Sequence, residues 1–559
     1  MSASLRRNLL GALLLLGLVW LIVYPLGIVA MESVRAPIGE GVGRHWTLEY
    51  FRLFMRRPRE WEALWNSVWI SLATVALAGV IGVSLAFLFA QFEFPGRRIL
   101  GGLVALPGVL PPLVGVIAFL FLYGETGFVG RLVQAMLGLE EVPWRLQGPW
   151  AILLVHAYSM YVYFYLLVRA GLATLDPALL EAAAALGAGR WRTLRRVVIP
   201  LLRPALTGGA LLTFMASLAS FSAPYIFGGG FRVMTTQIVS TRLNGDYTMA
   251  MVQTVALTLV ALLGLGLIRR AGEGVAGPTP GKGASPRVRR SPRRWVRVTV
   301  AATSWVFAAV LLLPHITLLL LSFVPIGTWT TEPLPPAYTA GNYVALVTEP
   351  ERLRPLLNSV WMAAAAMAGA VAIAILAGAL TVRRPVPGAG AIQALLAAPW
   401  AVPGTVFAIA LASTFSVHAP WAGRFILIGT IWLLPLAYLI RNLPIASRAI
   451  LSGYQGLDPS LDEAAQSLGA RRRRRLRRVT LPLLRPAIAA GATLAFATGL
   501  GDFVTSIVLY TYDTRPLSLE ILSSLRQNDV GVAAACGVLL MAISGVVFAI
   551  GSERQAVTS

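Results

Sequence analysis

The sequence predicts an all-α integral membrane protein of about 12 transmembrane helices, arranged as two parallel six-helix repeats. Composition is the first observation: 57% of the 559 residues are hydrophobic and 13% are charged, about half the charged share of a soluble domain. Mean hydropathy is +0.72, and many apolar runs exceed the roughly 20 residues needed to cross a hydrocarbon core. The third observation is internal repetition, with polar and proline landmarks recurring in order along the two halves.

In chain order, the expected spans of the first half are 9–30, 65–90, 99–122, 148–172, 203–228 and 247–268. The run after Arg6 and Arg7 is too long for a signal-peptide core and reads as a retained first helix. Those of the second half are 298–322, 358–381, 391–415, 424–444, 484–510 and 530–551. Between them, residues 269–297 are rich in Pro, Gly, Ser and Arg and read as a solvated linker. The expected divisions are therefore a repeat at 1–268, a linker at 269–297 and a repeat at 298–559.

Short motifs of the first half recur in order in the second. Asn66-Ser67-Val68-Trp69 returns as Asn358-Ser359-Val360-Trp361, Pro95-Gly96 as Pro387-Gly388, and Pro107 and Pro111 as Pro399 and Pro403. Six spans per unit, an even number, make both units enter the membrane from the same side, so the repeat is parallel. Placing both termini and the linker in the cytoplasm gathers the excess of arginine there, as basic residues require during insertion. The loop 31–64, with six arginines and five glutamates, departs from this pattern; long loops obey it weakly.

Net charge is +23, which raises nucleic acid as a partner. The densest run, Arg471 to Arg475 with Arg477 and Arg478, instead precedes a span on the cytoplasmic side. Retention there and contact with anionic lipid account for it. The lone cysteine, Cys536, lies in an apolar run and reads as a small filler. His156 and His315 lack partners at ligand spacing, so packing or interhelical hydrogen bonding is expected and a metal site is not.

The most informative feature is a polar segment that occurs twice. Asp176-Pro177, Glu181-Ala182-Ala183, Gly187, Ile199-Pro200 and Arg203-Pro204 are matched by Asp458-Pro459, Glu463-Ala464-Ala465, Gly469, Leu481-Pro482 and Arg485-Pro486. Asp at N-cap with Pro at the first helical position predicts a helix start. Gly187 and Gly469 predict its end, and Glu181 and Glu463 suit the dipole of its early turns. Leu179, Ala183 and Leu186 share a predicted face, as do Leu461, Ala465 and Leu468. An interfacial helix lying on lipid gives no reason for the identical spacing; a docking element for a soluble partner does.

These residues resemble the EAA loop of ABC importer permeases: Glu-Ala-Ala, Gly three residues on, and a hydrophobic-Pro pair eleven residues later. The resemblance covers nearly the whole chain and is closest to the fused permeases of ferric iron and thiamine importers. It implies the type I ABC importer permease fold, with coupling loops at 173–203 and 445–485, each held by one of two cytoplasmic ATP-binding subunits. Docking is expected through Asp176, Glu181, Ala182, Ala183, Gly187 and Pro200, and through Asp458, Glu463, Ala464, Ala465, Gly469 and Pro482. It further implies a bacterial inner-membrane location, an extracytoplasmic solute-binding protein, and a transport subunit that is not itself an enzyme.

No cofactor is expected on this chain, with ATP and magnesium used by the partner subunit. Lys282, the only lysine, lies in Pro280-Gly281-Lys282-Gly283 without the Ser or Thr of a P-loop. Candidate translocation-path residues are Asn66, Ser217, Ser220 and Phe221 in the first half, and Asn358, Asp502 and Phe503 in the second. Intramembrane polar groups are costly and mark function, though for the two asparagines interhelical hydrogen bonding is the preferred reading. Asp502 is the one carboxylate placed inside an expected span; it could line the path, meet a cationic solute, or find water or a backbone partner. Ser220 to Pro224 and Gly501 to Val504 resemble the ferric-iron type most, with thiamine next and organophosphonates or polyamines as further alternatives. A rival of another class is an ion-coupled secondary transporter, for which Asp502 is the sole relay candidate.

Overall fold

The structure is a computed structural model that describes residues 3–37, 44–108, 110–272, 294–329, 332, 334–383, 385–416 and 426–556. Among the described residues, ten helices are long and apolar enough to span a membrane, and a bent pair supplies an eleventh. In order they are Ser4–Ser33, Pro58–Gln91, Pro112–Leu137, Gly148–Ala173, Arg190–Leu218 and Tyr247–Gly272, then Arg294–Leu321, Pro350–Arg383, Arg473–Leu500 and Val530–Ala549, with Ala389–Ala401 and Gly404–Thr414 as the bent pair. Leu433–Gln455 occupies the place of the expected span 424–444 but carries Arg441 and Arg448, which lower its hydropathy. The expected linker is shortened to 273–293, outside the described residues, because the helices on either side extend into it.

Four expected spans are not single helices. The run 99–122 divides into Arg97–Leu103, a 3₁₀ turn at Leu106–Gly108 and Pro112–Tyr123. The run 391–415 divides at Pro399 and Pro403, and its two parts meet at 108°. Each proline removes a backbone donor and crowds the preceding turn, which hydropathy does not register. The runs 203–228 and 484–510 break at 219–221 and 501–503, giving short helices at Ser222–Phe227 and Val504–Leu509. Pro224 follows the first break closely, whereas no proline lies close after the second. In the second, the Asp502 carboxylate accepts the Thr505 backbone N–H at 2.8 Å, an alternative to continuing the helix.

Close packing within each repeat depends on small residues. Ala363, Ala366, Ala370, Ala374 and Ala377 form a buried stripe on Pro350–Arg383, against which Leu433–Gln455 lies. In the first repeat Gly82 meets the Gly148–Ala173 helix so closely that a Cβ would stand 2.7 Å from the Phe164 Cβ. The first helix of each repeat crosses to the other. Leu18 and Ile22 join the core of the second repeat with Phe407 and Leu434, and Trp20 sits edge-on to Phe415 at 5.6 Å. Reciprocally, Ala308 and Leu311 join the first-repeat core with Phe89 and Tyr161, and Tyr158 donates to the Leu311 carbonyl at 2.9 Å. The two repeats are separate along the chain and interlocked in space.

Candidate functional site: two capped helices and the seam between repeats

The repeated polar segments form the short helices Pro177–Ala185 and Pro459–Ser467. Asp176 accepts the Ala178 N–H and Asp458 the Ser460 N–H, each at 2.9 Å. Hydrogen bonding from Ser460 holds the Asp458 carboxyl below its ordinary value. At the other end Gly187 and Gly469 take φ +73°. The Ala188 N–H returns to the Ala183 carbonyl and the Gly187 N–H to the Ala184 carbonyl; Ala470 to Ala465 and Gly469 to Gln466 repeat the pattern. This is a Schellman cap in both copies, and it satisfies carbonyls that would otherwise be orphaned.

Glu181, Ala182, Glu463 and Ala464 are exposed. The expected common face divides: Ala183 is buried while Leu179 is exposed and Leu186 lies at the C-cap, 88% exposed, as is Leu468 in the other copy. Pro200 and Pro482 sit within continuous helices, just after π-helical turns at Leu194–Val198 and Leu476–Thr480. A widened turn relieves the clash of each proline ring with the turn before it. The copies differ in one respect. Arg475 donates to Gln466 Oε1 at 2.6 Å and lies 3.7 Å from Asp462 Oδ1, whereas the first copy has Thr193, Ala184 and Leu180 at these places.

Asn66 donates to the Arg232 carbonyl at 2.9 Å and accepts from Trp69 at 3.0 Å. Asn358 donates to the carbonyls of Asp513 and Arg515 at 2.8 and 3.0 Å and accepts from Trp361. The neighbouring Ser67 and Ser359 accept the N–H groups of Met234 and Leu517, each at 2.7 Å, where the helices Met234–Leu243 and Leu517–Arg526 begin. The Asn-Ser-x-Trp repeat thus pins one loop in each half.

Phe221 and Phe503 are buried and meet across the repeats with ring centroids 5.8 Å apart. Tyr225 stacks on Phe221 at 5.1 Å, and its hydroxyl takes a hydrogen bond from Arg526. Behind Phe221 lies a neutral cluster: His156 Nε2 and Ser220 Oγ are 2.8 Å apart, and Ser217 Oγ lies 3.2 Å from His156 Nδ1. Behind Phe503, Asp502 is paired with Arg441.

Arg441 carries a signal in the sequence, an arginine inside the expected span 424–444, that motif reading passed over. Glu60, which accepts from Gln253 at 2.7 Å and Gln237 at 3.3 Å, was hidden because its helix starts at Pro58, earlier than its apolar run. The same extension places Arg352 against Asp529 at 3.1 Å.

The chain matches the family described as "Binding-protein-dependent transport system inner membrane component" twice, over residues 78–271 and 369–552. A "Probable ABC transporter permease protein y4fN" from Sinorhizobium fredii is 31% identical over 89% of this chain and 88% of its own length. The "Ferric transport system permease protein FbpB" of Actinobacillus pleuropneumoniae is 27% identical, covering 84% of this chain and 68% of that protein. The "Thiamine transport system permease protein ThiP" of Escherichia coli is 28% identical over 88% and 91% respectively. With the family matched in both halves and the seam formed between them, the chain belongs to the inner-membrane permease components of binding-protein-dependent ABC transport systems, with two repeats fused in one polypeptide.

Proposed function

We propose that this chain is the permease subunit of an ATP-driven importer, and that Pro177–Ala185 and Pro459–Ser467 are its coupling helices. The observation that carries this reading is the pair of identically capped short helices, each with an exposed glutamate and a leucine 88% exposed at its end. An apolar tip beside a charged, rigid helix is the surface a soluble partner grips. Two ATP-binding subunits take these helices from the cytoplasm, where the arginine-rich loops and both termini lie, and use ATP and magnesium. An external binding protein delivers solute to the other side. ATP binding draws the coupling helices together and opens the path outward; hydrolysis returns it to the inward-open state. The chain itself carries out no chemistry.

For the solute we favour ferric iron, with thiamine second. Relatives bearing each name match most of the chain, and the external binding protein sets most of the selectivity in such systems. Asp502 does not offer a free carboxylate to a bare cation, because Arg441 and Thr505 occupy it. Uptake of radiolabelled ferric iron and of thiamine by a deletion strain, with and without the gene, tests the choice. Replacing Glu181 and Glu463 by alanine should leave insertion intact and abolish uptake while ATP hydrolysis continues. Uptake equal to the parent's would refute the coupling role. Transport by the purified chain under an ion gradient, without ATP, would establish the secondary-transporter alternative.

A further inference from the structure

The second repeat joins the two helices flanking its capped helix by a part-buried ion pair. Arg441 lies on Leu433–Gln455, which ends just before Asp458. Asp502 lies in the break between Arg473–Leu500 and Val504–Leu509. Arg441 Nη1 contacts Asp502 Oδ2 and donates to Thr505 Oγ1 at 2.9 Å, while Thr505 also donates its hydroxyl to Asp502 at 3.1 Å. The Asp502 side chain is 5% exposed and that of Arg441 27%. Tyr438, on the same face one turn earlier, is 2.6 Å from Ser506 Oγ. Gly404 leaves room for the pair, since a Cβ there would stand 2.7 Å from Arg441 Cζ.

At the matching positions of the first repeat, 282 residues earlier, stand Ser159 and Ser220 in place of Arg441 and Asp502, and His156 in place of Tyr438. The link there is the neutral hydrogen bond between His156 and Ser220. Directly after Asp502 comes Phe503, whose ring faces Phe221 and Tyr225 across the seam.

We propose that Arg441 and Asp502 are positioning residues for transport: their ion pair fastens the Phe503 break to the helix entering the second capped helix, so motion of that helix shifts Phe503 against Phe221. Separating the pair would leave an unpaired charge in the membrane interior, so the two elements move as one body. A charge-assisted bond holds more tightly than a neutral one, so the second repeat drives the seam more directly than the first. This rests on the alternating-access reading above.

The test uses the permease in lipid nanodiscs with its ATP-binding subunits. A cysteine replaces Tyr225, and maleimide labelling is measured with and without ATP and vanadate; native Cys536 is buried. In the parent, trapping should change the labelling rate by roughly five-fold or more, and Asp502→Asn should reduce that change to less than about two-fold. Gly404→Ala, which keeps both charges but crowds the guanidinium, should do the same. Arg441→Lys should preserve the response, which distinguishes positioning from loss of fold. Ser220→Ala should lose less than half of it. A parent that responds, with Asp502→Asn and Gly404→Ala responding alike, overturns the ion-pair role alone. Equal losses from Ser220→Ala and Asp502→Asn overturn the asymmetry. A parent indifferent to ATP sinks the alternating-access reading instead.

Discussion

Gly187 and Gly469 offer a clean way to weaken the two capped helices. Each holds φ +73° in a Schellman cap, and a Cβ at either position would meet no described atom within 4 Å. Alanine there therefore costs backbone strain alone, about 1 kcal/mol for a non-glycine residue held in the left-handed region. If docking needs the capped conformation, Gly469→Ala should weaken binding of the ATP-hydrolysing partner about five-fold. The double Gly187→Ala/Gly469→Ala variant should weaken two-site binding about twenty-five-fold, since the two sites do not touch. Asparagine tolerates this backbone region better, so Gly469→Asn should lose markedly less. The assay is titration of purified partner onto permease in nanodiscs, followed by light scattering or surface plasmon resonance. Equal affinities for the parent, Ala and Asn variants would refute the dependence on the cap; equal large losses for Ala and Asn would show that something other than φ is at stake.

Further outcomes are expected elsewhere. Arg475→Ala should lower hydrogen-exchange protection over 459–467 and leave 177–185 unchanged, because only the second copy is tied by this side chain. The Asp458 carboxyl titrates below its ordinary value when the helix is formed, so its stabilisation is present above the ordinary carboxylate pKa and is lost as pH falls through the lowered one. Exchange at Ser460, corrected for intrinsic rate, should rise as pH falls below about 4; Asp458→Asn should remove that dependence while keeping the cap. Gly82→Ala should destabilise the first repeat by about 1–3 kcal/mol through overpacking against Tyr161 and Phe164, read as a lower Tm in detergent. Ser359→Ala should cost about 1–3 kcal/mol by leaving the buried Leu517 N–H without its acceptor, read the same way.

The residues that act locally were legible without coordinates. An N-cap aspartate, a proline at the first turn and a terminal glycine impose a short helix through their own backbone chemistry, and 176–187 and 458–469 fold accordingly. Hydrophobic length and the matched landmarks likewise determined the two-repeat, all-helical membrane architecture, because lipid allows few alternatives to a helix. What required tertiary structure was every feature set by partners distant in sequence. Asp502 reads as a path-lining carboxylate or one with water or a local backbone partner. The Thr505 N–H is such a partner, but the ion pair with Arg441, 61 residues away, emerges only when the fold brings the two together. Phe221 and Phe503 become a seam only when the repeats face one another. The exchange of first helices between the halves depends on which apolar face fits which groove, and hydropathy is blind to that choice because lipid and protein interior are equally apolar.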